Sequence, residues 1–168
     1  RVQRFGGDDG LPPGAVYSIV YAPEGGLYIG THHGLYLAHN GRFSLIKPDF
    51  PDEAVISLNV DRQSNLWIGT VNRGILRLGR RGLESLDAGS GLPNNRVGAL
   101  FSDREGNLWA GTNAGLVRFA DTPFVTLDNY SGLTDNYVRA VAQMDDGSIM
   151  IGTSRGLNRY DREKISAI

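Results

Sequence analysis

The chain repeats itself four times with a period of about 41 residues, and this periodicity restricts its fold more than any other feature. A Gly-Thr pair marks each repeat, and successive pairs are separated by 39, 42 and 41 residues. A period of roughly 40–45 residues is the length of one four-stranded blade of a β-propeller. The four pairs are Gly30-Thr31, Gly69-Thr70, Gly111-Thr112 and Gly152-Thr153.

Other residue types recur at fixed distances before each pair, and we expect these columns to be buried. The valine column is Val16, Val55, Val97 and Val138, and the aliphatic column is Leu27, Leu66, Leu108 and Ile149. A bulky column follows at Tyr28, Trp67, Trp109 and Met150. The tryptophans could stack on a sugar, but their place in a repeated strand column favours packing between blades.

Each repeat reads as four short strands separated by turns. In the third copy we predict strands at 96–101, 108–112, 116–119 and 124–127, with a turn at 103–107. The inner strands are apolar on both faces, as expected of a sheet enclosed by two neighbours. Since no window shows a sustained helical stripe, we predict an all-β fold of propeller blades with less than about 5% helix.

The repeats divide the single propeller segment of residues 1–168 into blades. Residues 12–50, 51–90, 91–131 and 132–168 form blades 1 to 4, and residues 1–11 include the last strand of a preceding blade, at Arg1 to Phe5. Ile165 and Ile168 give blade 4 its own last strand, so closure by the N-terminal strand is not expected. We therefore predict a segment of a larger propeller that self-associates, most economically as a two-chain ring, or packs on further blades.

Composition excludes several classes of function. The net charge is −1 with interspersed charges, which argues against nucleic-acid binding, and the chain has no cysteine for thiolate chemistry. No apolar run is long enough for a membrane helix, so we expect no direct membrane insertion in this segment. We expect neither a cofactor nor a catalytic residue, because no paired acid and base recur.

The third copy resembles the two-component regulator propeller repeat. The resemblance rests on Gly91-Leu92-Pro93, on the stretch from Asp103 to Thr112, and on Gly115 to Phe119. All four copies carry it, although the second has Asp49-Phe50-Pro51 in place of Gly-Leu-Pro. The resemblance implies the extracytoplasmic, periplasmic sensor region of a membrane receptor with a histidine kinase or diguanylate cyclase output. It also implies ligand sensing, with oligosaccharides as known ligands, and no enzymatic activity.

Candidate ligand-binding residues lie in loops that we expect to share one face of the propeller. These loops join the second strand to the third within a blade, and the fourth strand to the next blade. Side chains there that differ between repeats can hydrogen-bond sugar hydroxyls or a polar partner, although Asn and Asp also favour turns. The candidates are His32, His33, Asn72, Arg73, Asn94, Asn95, Asn113, Asp135, Asn136 and Arg155.

Two motifs could be metal sites, but an ordinary loop or turn explains each of them better. His32 and His33 are adjacent, so on a strand their side chains would point to opposite faces, and we expect no metal site there. The turns at Asp103–Gly106 and Asp145–Gly147 lack the alternating oxygen ligands of a calcium loop. A protein-interaction scaffold remains the alternative to a ligand sensor, because blade arrays also serve as docking surfaces.

Overall fold

Each repeat folds into a four-stranded antiparallel sheet in which consecutive strands pair. The computed structural model describes residues 2–46, 53–80, 82–119 and 125–168. Blade 1 contains β1 (Val16–Tyr21), β2 (Leu27–Thr31), β3 (Gly34–His39) and β4 (Arg42–Leu45); blade 2 contains β5 (Val55–Val60), β6 (Leu66–Thr70), β7 (Ile75–Gly79) and β8 (Gly82–Leu86). Blade 3 contains β9 (Val97–Ser102), β10 (Leu108–Thr112), β11 (Gly115–Phe119) and β12 (Val125–Leu127); blade 4 contains β13 (Val138–Gln143), β14 (Ile149–Thr153), β15 (Gly156–Asp161) and β16 (Lys164–Ala167).

The all-β prediction is confirmed. Helix is confined, in the described residues, to the 3-10 turns Gly7–Asp9 and Ala88–Ser90, about 4% of the chain. The predicted strands of the third copy form with shifts of one residue at some ends, while Phe124 and the Asp49-Phe50-Pro51 motif lie outside the described residues. Within the described ranges, no helix has the length and apolar character to cross a membrane.

The blades stack side by side through their first strands. β1 contacts β5, β5 contacts β9, and β9 contacts β13. Three apolar clusters fill the spaces between successive sheets. The sheets described here do not close into a ring, as expected of a propeller segment.

The glycine of the first three Gly-Thr pairs is explained by the close approach of the next blade. These glycines lie within strands and have no positive φ, so backbone conformation does not require them. A Cβ at Gly30 would lie 2.8 Å from Cγ1 of Val55, and one at Gly111 would lie 2.6 Å from Cγ1 of Val138. The repeat therefore keeps glycine where the first-strand valine of the following blade inserts.

Burial of the valine and aliphatic columns is confirmed for blades 2 to 4 and is wrong for blade 1. Val55 is 0% exposed, whereas Val16 at the equivalent position is 44% exposed. Leu27 is only partly buried, unlike Leu66. The physical reason is that the described chain places no blade against the outer face of β1.

The tryptophans pack between blades, as the sequence predicts. Trp109 is 2% exposed, and its ring meets Tyr160 of the next blade edge-on, with 5.4 Å between the ring centres. Trp67 is partly buried and lies 6.4 Å from the ring of Phe119 in the next blade. Stacking of a sugar on the Trp109 face is therefore excluded by its neighbours.

The N-terminal residues do not form a strand here. Residues 2–6 lie outside any strand, and Phe5 packs edge-on against Phe43 of blade 1 with 5.4 Å between the ring centres. Arg1 lies outside the described residues. The assignment of this segment to a preceding blade stays a prediction.

Candidate functional site

The two predicted sets of loops lie together on one face, called here the loop face. The connection into blade 3 contacts a turn of blade 2, because the Gly74 N–H donates to the carbonyl oxygen of Asn95 at 2.9 Å. The connection into blade 4 does the same in blade 3, where the Gly115 N–H donates to the carbonyl oxygen of Asn136 at 2.7 Å. In each blade, the turn between the first and second strands and the turn between the third and fourth strands lie at the opposite end of the sheet.

Four of the sequence candidates shape these connections with their side-chain oxygens. Oδ1 of Asn95 accepts from the Ala88 N–H at 2.7 Å, and Oδ1 of Asn136 accepts from the Asn129 N–H at 2.6 Å. Asn94 and Asp135 each accept from the N–H two residues further on, at 2.8 Å and 2.7 Å. Blade architecture therefore holds these four residues, because the same bonds recur in two successive connections.

Three other candidates lie on the blade 2, blade 3 and blade 4 turns of the loop face. Arg155 forms a salt bridge with Asp135, with 3.4 Å between Nε and Oδ2. The side chain of Arg73 is exposed, and its backbone N–H donates to Oγ1 of Thr70 at 2.9 Å. Asn113 is partly buried. These three residues do not line the groove described next.

A groove on the loop face brings together residues from three blades. Its volume is about 510 Å³. Glu53 accepts hydrogen bonds at 3.2 Å from both the backbone N–H and the side-chain amide of Asn72. These bonds hold the two residues together on one wall of the groove. The groove therefore combines an aromatic ring with acidic, basic, imidazole and amide groups. Its lining residues are Tyr17, His32, His33, Glu53, Ala54, Ile56, Val71, Asn72 and Arg96.

The two histidines face each other instead of pointing to opposite sides. His32 and His33 lie in the turn after β2, outside the strand, so the alternation of strand side chains does not apply to them. Their ring centres are 5.2 Å apart at an interplanar angle of 87°. In the described part of the chain, no group of three His, Asp or Glu side chains is placed to hold a metal ion.

Every first strand carries a β-bulge at the edge of the loop face, which sequence analysis missed. The pairing of β1 with β2 skips Tyr17, and the pairing of β5 with β6 skips Ile56. In the same way, the pairing of β9 with β10 skips Gly98, and the pairing of β13 with β14 skips Arg139. Bulges re-aim side chains and are common beside binding sites. The available signal was that the residue after each repeat valine differs in all four copies.

The Asp turns at the opposite face are structural elements. The carboxylate of Asp61 accepts hydrogen bonds from the backbone N–H groups of Gln63 and Asn65, the Asn65 amide and Nε1 of Trp67. Partial burial would raise the pKa of Asp61, but these hydrogen bonds outweigh it and hold the pKa below its ordinary value. Asp103 binds Asn107 and Trp109 in the same way, which confirms the turn interpretation.

A known family model matches three of the four repeats. The family model described as "Two component regulator propeller" matches residues 10–33, 49–72 and 91–114. These segments run from the connection before a blade to the turn after its second strand. No curated protein matches the sequence.

Solved structures with the same architecture include extracellular domains of putative two component systems and a lyase. The extracellular domain of a putative hybrid two component system from B. thetaiotaomicron is 27% identical over 89% of this chain, with a TM-score of 0.71. A second such domain from the same organism is 20% identical over 98% of this chain, with a TM-score of 0.60. Virginiamycin B lyase from Staphylococcus aureus is 16% identical over 91% of this chain, with a TM-score of 0.69.

The chain spans only part of each of these structures. It covers 22% and 31% of the two extracellular domains and 55% of the lyase. At 16% and 20% identity, the lyase and the second extracellular domain show the fold alone. A propeller fold hosts both binding and catalysis, so function has to be argued from the groove.

Proposed function

We propose that the chain, three of whose repeats match the two-component regulator propeller model, is a non-enzymatic, ligand-sensing segment of a bacterial signal-transduction receptor. The segment acts outside the cytoplasm, in the periplasm, and binds a polar ligand on its loop face. We propose an oligosaccharide as this ligand. The likeness to the extracellular domain of a putative hybrid two component system supports the receptor role.

The observation that carries the ligand proposal is the mixed lining of the loop-face groove. Tyr17 is 48% exposed and offers an aromatic surface. Arg96 supplies hydrogen-bond donors, Glu53 supplies acceptors, and Asn72 supplies both. Sugar hydroxyls donate and accept hydrogen bonds, and sugar rings present apolar faces, so a saccharide suits such a lining better than a purely apolar molecule.

One acidic group of the lining serves a binding residue. In the described part of the groove the carboxylate is Glu53, and it accepts hydrogen bonds from the backbone N–H and the side-chain amide of Asn72. The Glu53 carboxylate therefore positions Asn72, whose exposed side chain faces the ligand space.

Binding to a panel of oligosaccharides tests the proposal. We expect at least one member to bind in isothermal titration calorimetry. Tyr17→Ala and Arg96→Ala should each weaken that binding about tenfold or more, the usual cost of losing one strong contact. Arg80→Ala removes an exposed arginine from the turn between β7 and β8, away from the groove, and serves as the matched control.

Three results would contradict the proposal. Binding that Arg80→Ala weakens as much as Arg96→Ala does would show that the groove is not the site. A panel with no binder, together with a protein partner whose binding Tyr17→Ala abolishes, would favour the scaffold alternative. Chemical turnover of a bound saccharide would show instead that the segment is an enzyme.

A further inference from the structure

A second cavity, of about 580 Å³, lies on blade 2 at the face opposite the loop face. One wall is the turn between β5 and β6, which contributes Gln63 and Asn65. The other wall is the turn between β7 and β8, which contributes Gly79 and Gly82. Cavities of several hundred Å³ accommodate small molecules. The cavity lies at the other end of the sheet from the loop-face groove, so the two are separate sites.

Two glycines open this cavity. Gly79 and Gly82 pair with each other across the β7–β8 hairpin. The two other described pairs at this position are His39 with Arg42 in blade 1 and Asp161 with Lys164 in blade 4. In blade 1 the imidazole of His39 packs on the neighbouring turn, where its Nδ1 lies 3.5 Å from the Cβ position of Gly26. Blade 2 has no side chain at either hairpin position, so the space between its two turns stays open.

The arginine of the cavity wall, Arg77, lacks an acidic partner that the repeat provides in blade 4. Arg77 occupies the place in the β6–β7 pairing that Arg159 occupies in the β14–β15 pairing. Nη2 of Arg159 donates to Oδ2 of Asp146 at 2.6 Å. Asp146 lies six residues before the glycine of its Gly-Thr pair, and the residue six before that glycine in blade 2 is the neutral Gln63. The other repeats have an acid at this position, namely Glu24, Glu105 and Asp146.

Glu84 compensates the charge of Arg77 only in part. Its Oε2 lies 3.2 Å from Nη1 of Arg77, and among the described residues it is the one acceptor of that side chain. The guanidinium also packs over Trp67, with Cζ 5.3 Å from the ring centre, which orients it. A guanidinium has five donors and binds a carboxylate best through two parallel hydrogen bonds. Because the exposed Arg80 also borders the cavity, the described wall carries two positive charges and one negative charge.

We propose that this cavity binds a small hydroxylated carboxylate, such as a sugar acid, whose carboxylate pairs with Arg77 as Asp146 pairs with the arginine of blade 4. The amides of Gln63 and Asn65 supply donors and acceptors for the hydroxyl groups. The turn that presents them is preorganised, because Oδ1 of Asp61 accepts from the backbone N–H groups of both residues at 2.9 Å and 2.8 Å. This site belongs to blade 2 alone and is independent of ligand binding on the loop face.

Isothermal titration calorimetry with D-glucuronate tests the site, and D-glucose is the matched neutral sugar. We expect D-glucuronate to bind the unmodified chain about tenfold or more tightly than D-glucose does, the usual gain from one charge-assisted contact. Gln63→Asp restores the carboxylate of the repeat beside Arg77, so it should weaken D-glucuronate binding about tenfold or more. Gln63→Asn has the same size without the charge, and it should keep the affinity within about threefold.

Two further variants separate the arginine from the general charge of the surface. Arg77→Gln removes the guanidinium and should also weaken D-glucuronate binding about tenfold or more, which keeps the proposal testable if Gln63→Asp fails to fold. Arg62→Ala removes an exposed arginine from the turn between β5 and β6 that does not line the cavity. It should leave the affinity within about threefold. Circular dichroism checks that each variant keeps its strand content.

Any of four results would overturn the proposal. No binding of D-glucuronate, or equal binding of D-glucose, would show that the cavity does not select a carboxylate. Equal weakening by Gln63→Asp and Gln63→Asn would show that the restored charge does not compete with the ligand. Binding that neither Gln63→Asp nor Arg77→Gln weakens would place the ligand elsewhere. A loss with Arg62→Ala as large as with Arg77→Gln would show attraction to surface charge in general.

Discussion

Trp109 is held at both its ring and its indole nitrogen. Its ring meets Tyr160 of the next blade edge-on, and Cζ of Arg118 on its own blade lies 5.8 Å from its ring centre. Nε1 donates to Oδ2 of Asp103 at 2.8 Å. One side chain thus links a turn, a sheet and the neighbouring blade.

We predict that Trp109→Ala lowers the free energy of unfolding by roughly 3–5 kcal/mol, the usual cost of deleting a buried aromatic side chain. Trp67→Ala is the matched comparison, because Trp67 makes the same bond to an aspartate but is only partly buried. The loss at Trp67 should be smaller. Chemical denaturation measures both, and a loss below about 1 kcal/mol at Trp109 would contradict its role in packing.

A second prediction concerns Asp61 and the pH dependence of the free energy of unfolding. Its folded-state pKa lies below its ordinary value, so its ionised form contributes stability that is present above the unfolded pKa. That contribution is lost as the pH falls through the folded pKa. The stability advantage of the unmodified chain over Asp61→Asn should therefore be full near pH 7 and shrink below about pH 4. An advantage independent of pH would contradict the hydrogen-bonded carboxylate as its source.

At the level of strands and blades, the Gly-Thr pair provides a comparison within one chain. A Cβ at Gly111 would lie 2.6 Å from Cγ1 of Val138, whereas one at Gly152 would have its nearest contact at 3.5 Å. Gly111→Ala should therefore cost roughly 1–3 kcal/mol, as overpacking does, while Gly152→Ala should stay within about 0.5 kcal/mol. Thermal or chemical unfolding checks both, and equal losses would contradict the explanation of the glycine by blade contact.

Sequence analysis predicted the blades because local signals specify them. The repeated valines, glycines and Asp turns place the strands and turns to within a residue or so, as in blade 3. The exposure of Val16 could not be predicted from its column, because burial there depends on whether another blade covers it. A repeat position determines what a residue can pack against, but not whether a partner is present.

The candidate site was predicted only in part. His32, His33 and Asn72 line the groove, since variable polar residues on loop turns are a usable signal. Tyr17 was missed because a bulge turns it toward the groove, and the only sequence signal of that bulge is the variable residue after each repeat valine. Asn95 was predicted to bind a ligand through its amide, but its Oδ1 accepts a hydrogen bond that holds the connection into blade 3. Sequence alone does not separate these roles, because asparagine is favoured both in turns and in ligand sites.

For the whole molecule, the blades and the loop face have separate tasks. The invariant columns hold neighbouring sheets together, and the residues that differ between repeats surround a groove that spans three blades. Ligand binding should therefore involve several blades at once and stiffen the segment between them. This coupling between blades is how we expect a sensor segment to pass binding on to the rest of a receptor.

Hydrogen–deuterium exchange with the tightest-binding oligosaccharide of the panel tests the central claim most directly. The account predicts ligand-induced protection at the loop face, on at least two blades. The expected segments are residues 14–18, 32–33, 53–56, 71–73 and 94–98. Protection confined to the opposite turns at residues 61–65 and 103–107 would contradict it.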